Sequence, residues 1–531
     1  MLFFVSKDSK VRQLGRFVKN CRTVGVGEAR RRVVEAAETE RIRAELARGP
    51  VLTAEERAAQ EKAVLPGKIW FEIRLLRKGA GEDEPAAVRS LGEQSYHSEF
   101  RIQNSGLINQ GSEAEGSAEE YVLFAEEDGW LHPGALFEIA RVIGETGAEI
   151  LYTDEDYYTE LPAELKAPWC KPGYGPETMR GCALCDGMLI CSKALLKKAG
   201  AEGYAGMSLE ERREAAIRMA EMARRVERIP KILLYRKIAG GIPKPAIRRY
   251  EDPIEGEPLV SILIPNKDHR EDLERCIGSI REKTDWLKWE IIIIENNSEE
   301  DETFRYYEEI QKDGRIRVIR REGAFNYSAV NNEGFRAAKG ELILLLNNDT
   351  EVRNPGWMRE MIRQAQKKDV GAVGAKLYYP DGTIQHAGIG IGIKMLAGHY
   401  FRGFDGESDG YYGRLKYAQE VSAVTAACMM IPRRVYEEMQ GLDESYRLVF
   451  NDVDLCLRIR GKGYRILWTP GAELTHYESK SRGPDEETEE KKRFFVGETN
   501  RFLRKWYKAL ENGDPYYNPN LTREKEDFSL R

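Results

Sequence analysis

ELILLLNNDTEV, residues 341–352, is the stretch from which the fold can be read. Five apolar residues, Leu342 to Leu346, run without a polar interruption, as in a strand buried on both faces of a parallel sheet. The run stops at Asn347, Asn348 and Asp349. Asn and Asp close many strands in ordinary turns. In open α/β sheets, however, ligands bind at the carboxyl ends of the strands, so the surrounding sequence has to decide between a turn and a site.

Working outward, the pattern occurs twice. EEYVLFAEEDGWLHPGALFEIARVI (119–143) aligns with GELILLLNNDTEVRNPGWMREMIRQA (340–365): a buried strand, a polar triplet, then Pro-Gly opening an amphipathic helix. CDGMLICSKALLKKAG (185–200) aligns with TAACMMIPRRVYEEMQG (425–441), and the helix-to-strand segment 86–106 with 275–298. Repetition of this kind marks two related α/β units. The expected division is a helical, basic segment 1–66, a first unit 67–250, a second unit 251–505 and a tail 506–531. The copies are unequal. Between Asn104 and Tyr121 the first holds only a Gly/Ser/Glu-rich stretch, where the second has a helix, the strand RIRVIRR (315–321) and another helix. The first unit is therefore expected to have lost part of one sheet layer.

Bulk properties narrow the function. A chain of 531 residues is too long for one core. A net charge of −6 gives no reason to expect nucleic acid as a partner. No run reaches the length of a membrane span and MLFFV is too short for a signal core, so a cytoplasmic location is expected. The eight cysteines are scattered. Cys182 and Cys185, with Cys170 and Cys191 nearby, read as core thiols rather than as a zinc site. KVRQLGRFVKNCRTVGVGEARRRVV, at the start of the basic segment, is either an exposed helix packed on the protein or, over 10–35, a peripheral contact with an anionic membrane.

Within the second unit, three buried strands end in polar side chains: LVSILIPNKD (259–268), WEIIIIENNSEED (289–301) and LILLLNNDTEV. Parallel order brings those ends to one edge, which suits a nucleotide pocket. YRLVFNDVDLCLRIRGKGYRILWTP (446–470) adds Asn451, Asp452 and Asp454 at a helix start, more acid than capping needs. GAELTHYESKSRG (471–483) ends a strand in His476, one of six histidines, followed by Lys480 and Arg482. A carboxylate, an imidazole and a cationic loop suit a divalent metal holding a diphosphate.

In family order, SILIPNKD, ENNS, LLLNNDTEV, DGTIQHAG, AACMMIPRRVYEEMQGLDE, FNDVDLCLR and HYESKSRG resemble glycosyltransferase family 2 with a GT-A fold, of the type that builds bacterial surface polysaccharides such as O-antigen. The tandem arrangement and the ending DPYYNPNLT resemble its two-domain members. The resemblance implies two tandem GT-A-like domains with mainly parallel sheets, a nucleoside-diphosphate sugar donor, a saccharide or lipid-linked acceptor, and Mg²⁺ or Mn²⁺ as cofactor. It places Pro265 beside the base, Glu295 and Asn297 on base and ribose, Asn347, Asn348 and Asp349 at the DXD position with Asp349 meeting the metal, His476 as a further metal ligand, and Asp452 as catalytic base. Family members usually carry Glu before that Asp. Here Asn451 stands there, which leaves Asp454 as a weaker competitor for the role.

The chemistry fits those roles. Loss of a nucleoside diphosphate builds negative charge that a metal, Lys480 and Arg482 would neutralise. One carboxylate suffices as base in direct inverting displacement. The rivals are a nucleotidyltransferase, which would want a Gly-rich loop after the first strand where this chain has PNKDHRED, and a non-catalytic carbohydrate- or partner-binding scaffold. The first unit keeps Glu126, Glu127 and Asp128 but has no counterpart of FNDVDLCLR and no His after IPKILLYRKI, so it reads as a degenerate copy serving as scaffold or acceptor platform.

Overall fold

The computed structural model describes residues 37–45, 47–65, 69–76, 85–95, 100–103, 119–159, 167–239, 241–478 and 489–531. Segment 10–35, Lys480 and Arg482 lie outside them. Ahead of the sheets, Ala54–Lys62 is a short helix closed at its start by a capping box between Thr53 and Glu56.

The strands of the first unit are β1 (Ile69–Leu76), β2 (Phe100–Gln103), β3 (Glu119–Glu126), β4 (Trp130–Leu131), β5 (Ile150–Tyr158), β6 (Met188–Ser192) and β7 (Val226–Lys237), in sheet order β2-β1-β3-β6-β5-β7-β4. β6 runs antiparallel to both neighbours and β4 antiparallel to β7. The other pairings are parallel.

The second unit holds β8 (Val260–Asn266), β9 (Trp289–Glu295), β10 (Ile316–Arg320), β11 (Leu342–Leu346), β12 (Thr350–Val352) and β13 (Val370–Tyr378). It continues with the short strands β14 (Ile384–His386), β15 (Ile389–Ile391), β16 (Ala397–His399) and β17 (Gln419–Glu420), then β18 (Cys428–Pro432) and β19 (Arg465–His476). The main path is β10-β9-β8-β11-β18-β13-β19-β12. Without its edge strand β10, this is the order of the first unit, with β18 antiparallel where β6 is and β12 where β4 is. The repeat seen in the sequence is thus a repeat of topology, and the missing layer is one edge strand. Both are mixed α/β sheets whose main paths carry antiparallel strands at two matching places in an otherwise parallel arrangement; off that path β14 and β17 also pair antiparallel.

Continuous apolar runs dictate this burial. All five residues of β11 are buried, Ile343 to Leu346 completely, and each such side chain withdrawn from water contributes roughly 1.5–3 kcal/mol. One apolar cluster lies on each face of the second sheet; Ile343 and Leu345 face one, Leu342, Leu344 and Leu346 the other, as strand alternation requires.

The two units interlock through buried polar contacts. Glu420, 1% exposed, accepts from Glu177 N at 3.0 Å, Thr178 N at 2.9 Å and Thr178 Oγ1 at 2.7 Å, capping the helix Pro176–Gly181 of the other unit. A Cβ on Gly175 would lie 1.9 Å from that carboxylate, so glycine is required there. The tail returns to the first unit, where Asn518 Nδ2 donates to both oxygens of buried Asp154 at 2.9 and 2.8 Å. Among the described residues no helix is long and apolar enough to cross a membrane. The described cysteines are free and buried, as core thiols are.

Candidate active site

The polar ends of β8, β9 and β11 meet. Asn348 Nδ2 donates to Asn266 Oδ1 at 2.6 Å, and Asn266 O accepts from Asn296 N at 2.9 Å. Asn266 Nδ2 reaches Tyr307 OH at 2.7 Å. The amide triplet that ends β11 is therefore more than a turn: it ties three strand ends into the wall of a cavity of about 1050 Å³. Pro265, Asn347, Asn348, Asp349, Asp452 and His476 all line that cavity. Asp268, His269 and Phe450 line it too, and all three hold positive φ, at 48°, 50° and 61°. Strained backbone of this kind costs of order 1 kcal/mol per residue and concentrates at functional sites.

Antiparallel pairing of β12 with β19 sets Thr350 opposite His476 and so brings the imidazole to Asp349. His476 Nε2 lies 3.1 Å from Asp349 Oδ1, and Asn347 Nδ2 lies 3.2 Å from the same nitrogen. On the other side of the ring, His476 Nδ1 is 2.7 Å from Gln385 Oε1. The Gln385 amide is oriented by its own donations to Glu478 Oε2 at 3.1 Å and His476 O at 3.4 Å. An amide oxygen only accepts, so Nδ1 carries a proton and Nε2 is left facing the carboxylate. Burial would raise the Asp349 carboxyl, but His476 and a backbone amide outweigh that and hold it below the usual range. A carboxylate and an oriented imidazole nitrogen sharing one point is a donor pair that fits a divalent cation. The described residues contain no group of three or more His, Cys, Asp or Glu able to hold a metal. A cation on this pair would take its remaining oxygens from substrate and water.

Asp452 opens the helix Asn451–Gly461, with Oδ1 accepting from Val453 N at 2.8 Å and Oδ2 from Ala426 N at 3.2 Å. Burial pushes its carboxyl above the ordinary value against those amides. Asp454, two residues on, is turned away by about 200°. It is fully buried, with Arg458 Nε at 2.8 Å, Lys505 Nζ at 2.7 Å and Trp506 Nε1 at 2.9 Å. Only Asp452 of the two lines the cavity. The loop entering this helix is pinned from the long helix Glu489–Asn512, whose buried Glu498 accepts from Arg447 N, Leu448 N and Val449 N at 2.7, 3.2 and 2.8 Å.

Glu295 and Asn297 are not among the residues lining the cavity. The Glu295 carboxylate folds onto its own loop, accepting from Ser298 N at 2.5 Å, and Asn297 Nδ2 donates to Gly323 O at 2.7 Å. The wall on that side is Asp268, His269 and Glu300 instead. Sequence reasoning assigned no role to Gln385, Glu498 or Tyr327, whose hydroxyl lies 3.2 Å from Asn347 Oδ1. Gln385 belongs to DGTIQHAG, the one of these signals visible in the sequence.

The first unit shows what replaces the site. Aligning Asp128 with Asp349 sets Glu126 at the place of Asn347, and the pairing of Trp130 with Tyr235 then sets Arg236 at the place of His476. The guanidinium bonds Glu126 at 2.7 and 3.0 Å and Glu155 at 2.9 Å. A fixed organic cation thus occupies the position of the imidazole.

Residues 261–440 match the family model for glycosyl transferase family 2. Over 501 residues the chain is 38% identical to the uncharacterized protein y4gI of Sinorhizobium fredii, covering 86% of this chain and 53% of that protein. It is 30% identical to the O-antigen biosynthesis protein RfbC of Myxococcus xanthus, covering 86% and 37%. It therefore spans about half the length, or less, of these relatives. The solved mannosyltransferase PcManGT from Pyrobaculum calidifontis, in complex with GDP-Man and Mn2+, aligns over 50% of this chain and 68% of its own, at 15% identity and a TM-score of 0.36, a likeness too weak to argue from. These likenesses place a domain similar to glycosyl transferase family 2 at residues 261–440.

Proposed function

We propose that the chain transfers a sugar from a nucleoside-diphosphate sugar to an acceptor hydroxyl, with inversion, in the synthesis of a cell-surface polysaccharide. The observation that carries this reading is the placing of the Asp349–His476 pair and the buried carboxylate of Asp452 in one cavity at the strand ends. A relative named for O-antigen biosynthesis supports the polysaccharide context.

In this reading Asp349 and His476 hold Mg²⁺ or Mn²⁺, which would supply charge neutralisation for the departing diphosphate. Pro265, Asn347 and Asn348 shape the donor's seat, while Glu295 and Asn297 act from behind it by fixing the loop after β9. Lys480 and Arg482, six residues or fewer beyond His476, are assigned to the diphosphate. Asp452 takes the proton of the incoming hydroxyl, its burial raising its basicity toward what the step needs. Inversion is supported because two other carboxylates of the wall are engaged by backbone or side-chain donors: Asp268 accepts from Glu299 N and Glu300 N, and Glu478 from Gln385.

Incubation with a panel of UDP-, GDP- and dTDP-sugars plus Mn²⁺ tests the reading through slow release of nucleoside diphosphate. Chelator is expected to abolish release, and Asp349→Ala to lose metal-dependent nucleotide binding while staying folded. Full activity in excess chelator would remove the metal from the scheme. Absence of both turnover and nucleotide binding across the panel would leave a non-catalytic carbohydrate-binding scaffold.

A further inference from the structure

The helix Glu489–Asn512 has two unlike sides. Inward, Glu498, Phe502 and Leu510 are buried, and Trp506 Nε1 donates to Asp454. Outward, Val496, Leu503 and Tyr507 are 55%, 37% and 62% exposed. At 100° per residue these three fall within about 40° of one another, in a single stripe along the helix. The neighbouring arc carries Arg493, Arg504 and Lys508, all exposed, and no acidic side chain pairs with them among the described residues. Among the residues whose side chains are described, Glu511, which accepts from Tyr507 OH at 3.3 Å, is the acid on that arc. A bend at Trp506 separates Tyr507 and Lys508 from the residues before it.

We infer that this edge lies on a membrane surface bearing anionic headgroups. Charge complementarity selects that occupant: an apolar stripe bordered by cations that have no acidic partner among the described residues, with a tyrosine at its far end, is the pattern of a helix seated at the boundary of headgroups and acyl chains. Its place in the molecule gives the contact a use. Leu448, Val449 and Phe450 line the catalytic cavity. The first two are held by Glu498 of this helix, and Phe450 stacks on its Phe502 with ring centroids 4.7 Å apart. Docking the outward edge would bring the rim of the cavity next to Asp452 down to the lipid, where a lipid-linked acceptor presents its hydroxyl. The inference concerns lipid binding and does not need sugar transfer to be correct.

The test is sedimentation of the full chain with vesicles of phosphatidylcholine alone and of phosphatidylcholine mixed with phosphatidylglycerol. Each Lys or Arg held at an anionic surface adds roughly fivefold to partitioning. The wild-type chain is expected on the mixed vesicles, more at low salt, and hardly on phosphatidylcholine. Leu503→Ser with Tyr507→Ser, and separately Arg504→Glu with Lys508→Glu, should each lower the bound fraction at least tenfold. Nucleotide-sugar hydrolysis without vesicles and the melting temperature should stay as in the wild type, since these side chains are exposed. Wild-type binding by both variants, which would point to 10–35 instead, overturns the inference. So does failure of the wild type to bind, or a wild-type dimer that the same substitutions disperse.

Discussion

Replacing Asp452 by Asn isolates the proton-transfer step. The substitution preserves volume, and the Asn oxygen can still accept from Val453 N, now at 2.8 Å, or from Ala426 N, now at 3.2 Å. The amide nitrogen must then face the other backbone N–H, which is left buried without an acceptor at a cost of about 1–3 kcal/mol of stability. Losing a general base removes about 10²–10⁴ in rate, or roughly 3–5 kcal/mol of barrier. Activity should therefore fall more than stability, with donor affinity nearly unchanged. Asp454→Asn is the opposite case. It strips charge from a buried network with Arg458 and Lys505 and should destabilise by about 3 kcal/mol, while the folded fraction keeps its turnover. The assay is nucleoside diphosphate release against pH, with donor affinity measured by calorimetric titration and stability by thermal melts. The base acts ionised, so activity must fall as pH drops through its pKa. Burial raises that pKa, so the acid limb should lie above the ordinary aspartate value of about 3.9. Asp349, held below its usual value, remains ionised through that range and is not the source of the limb. If Asp452→Asn turns over normally and Asp454→Asn does not, the roles are reversed. If both are fully active, the base lies elsewhere.

Two further outcomes follow from the same geometry. Gln385→Leu leaves His476 Nδ1 without its acceptor and the ring free to turn, so the Mn²⁺ concentration for half-maximal nucleotide release should rise about 10- to 100-fold; an unchanged metal dependence would show that Gln385 does not orient the imidazole. In the first unit, Asp128→Ala should leave turnover nearly intact, and Arg236→Ala should lower stability by about 3 kcal/mol by removing the guanidinium that bridges the buried carboxylates of Glu126 and Glu155, again with turnover kept. A loss of activity in Asp128→Ala matching that of Asp349→Ala would make the first unit catalytic.

What could be read from the sequence follows from how locally each feature is determined. Leu342–Leu346 admits few readings besides a doubly covered strand, and the duplication of strand, triplet and Pro-Gly helix predicted two sheets and the missing edge strand β10. The phase of a helix separated Asp452 from Asp454 without coordinates, because residues two positions apart on a helix lie about 200° from each other. Glu295 shows the limit. An acid at a strand end looks the same whether it faces a ligand or turns back on the amide three residues later, and here it takes Ser298 N. Gln385 and Glu498 act across 91 and about 50 residues of sequence, distances over which no periodicity carries information. Their partners are set by register, not by composition.

The comparison of the two units gives a physical reason to read the first as a scaffold rather than a second active site. β7 and β19 occupy the same place in their sheets, and pairing with β4 or β12 presents one side chain to the polar triplet. In the second unit that side chain is His476, oriented by Gln385, with Nε2 3.1 Å from Asp349 Oδ1. In the first it is Arg236, which brings its own positive charge and satisfies Glu126 and Glu155 directly. Burial raises the Glu155 carboxyl, but Lys171 and Arg236 outweigh it and hold it at about 2. In the proposed scheme, the exchange of imidazole for guanidinium replaces a seat for a divalent cation with a closed ion pair. Charge balance at the strand ends of the first unit is then internal, and its fold stands without a bound ion, as the proposed scaffold role requires.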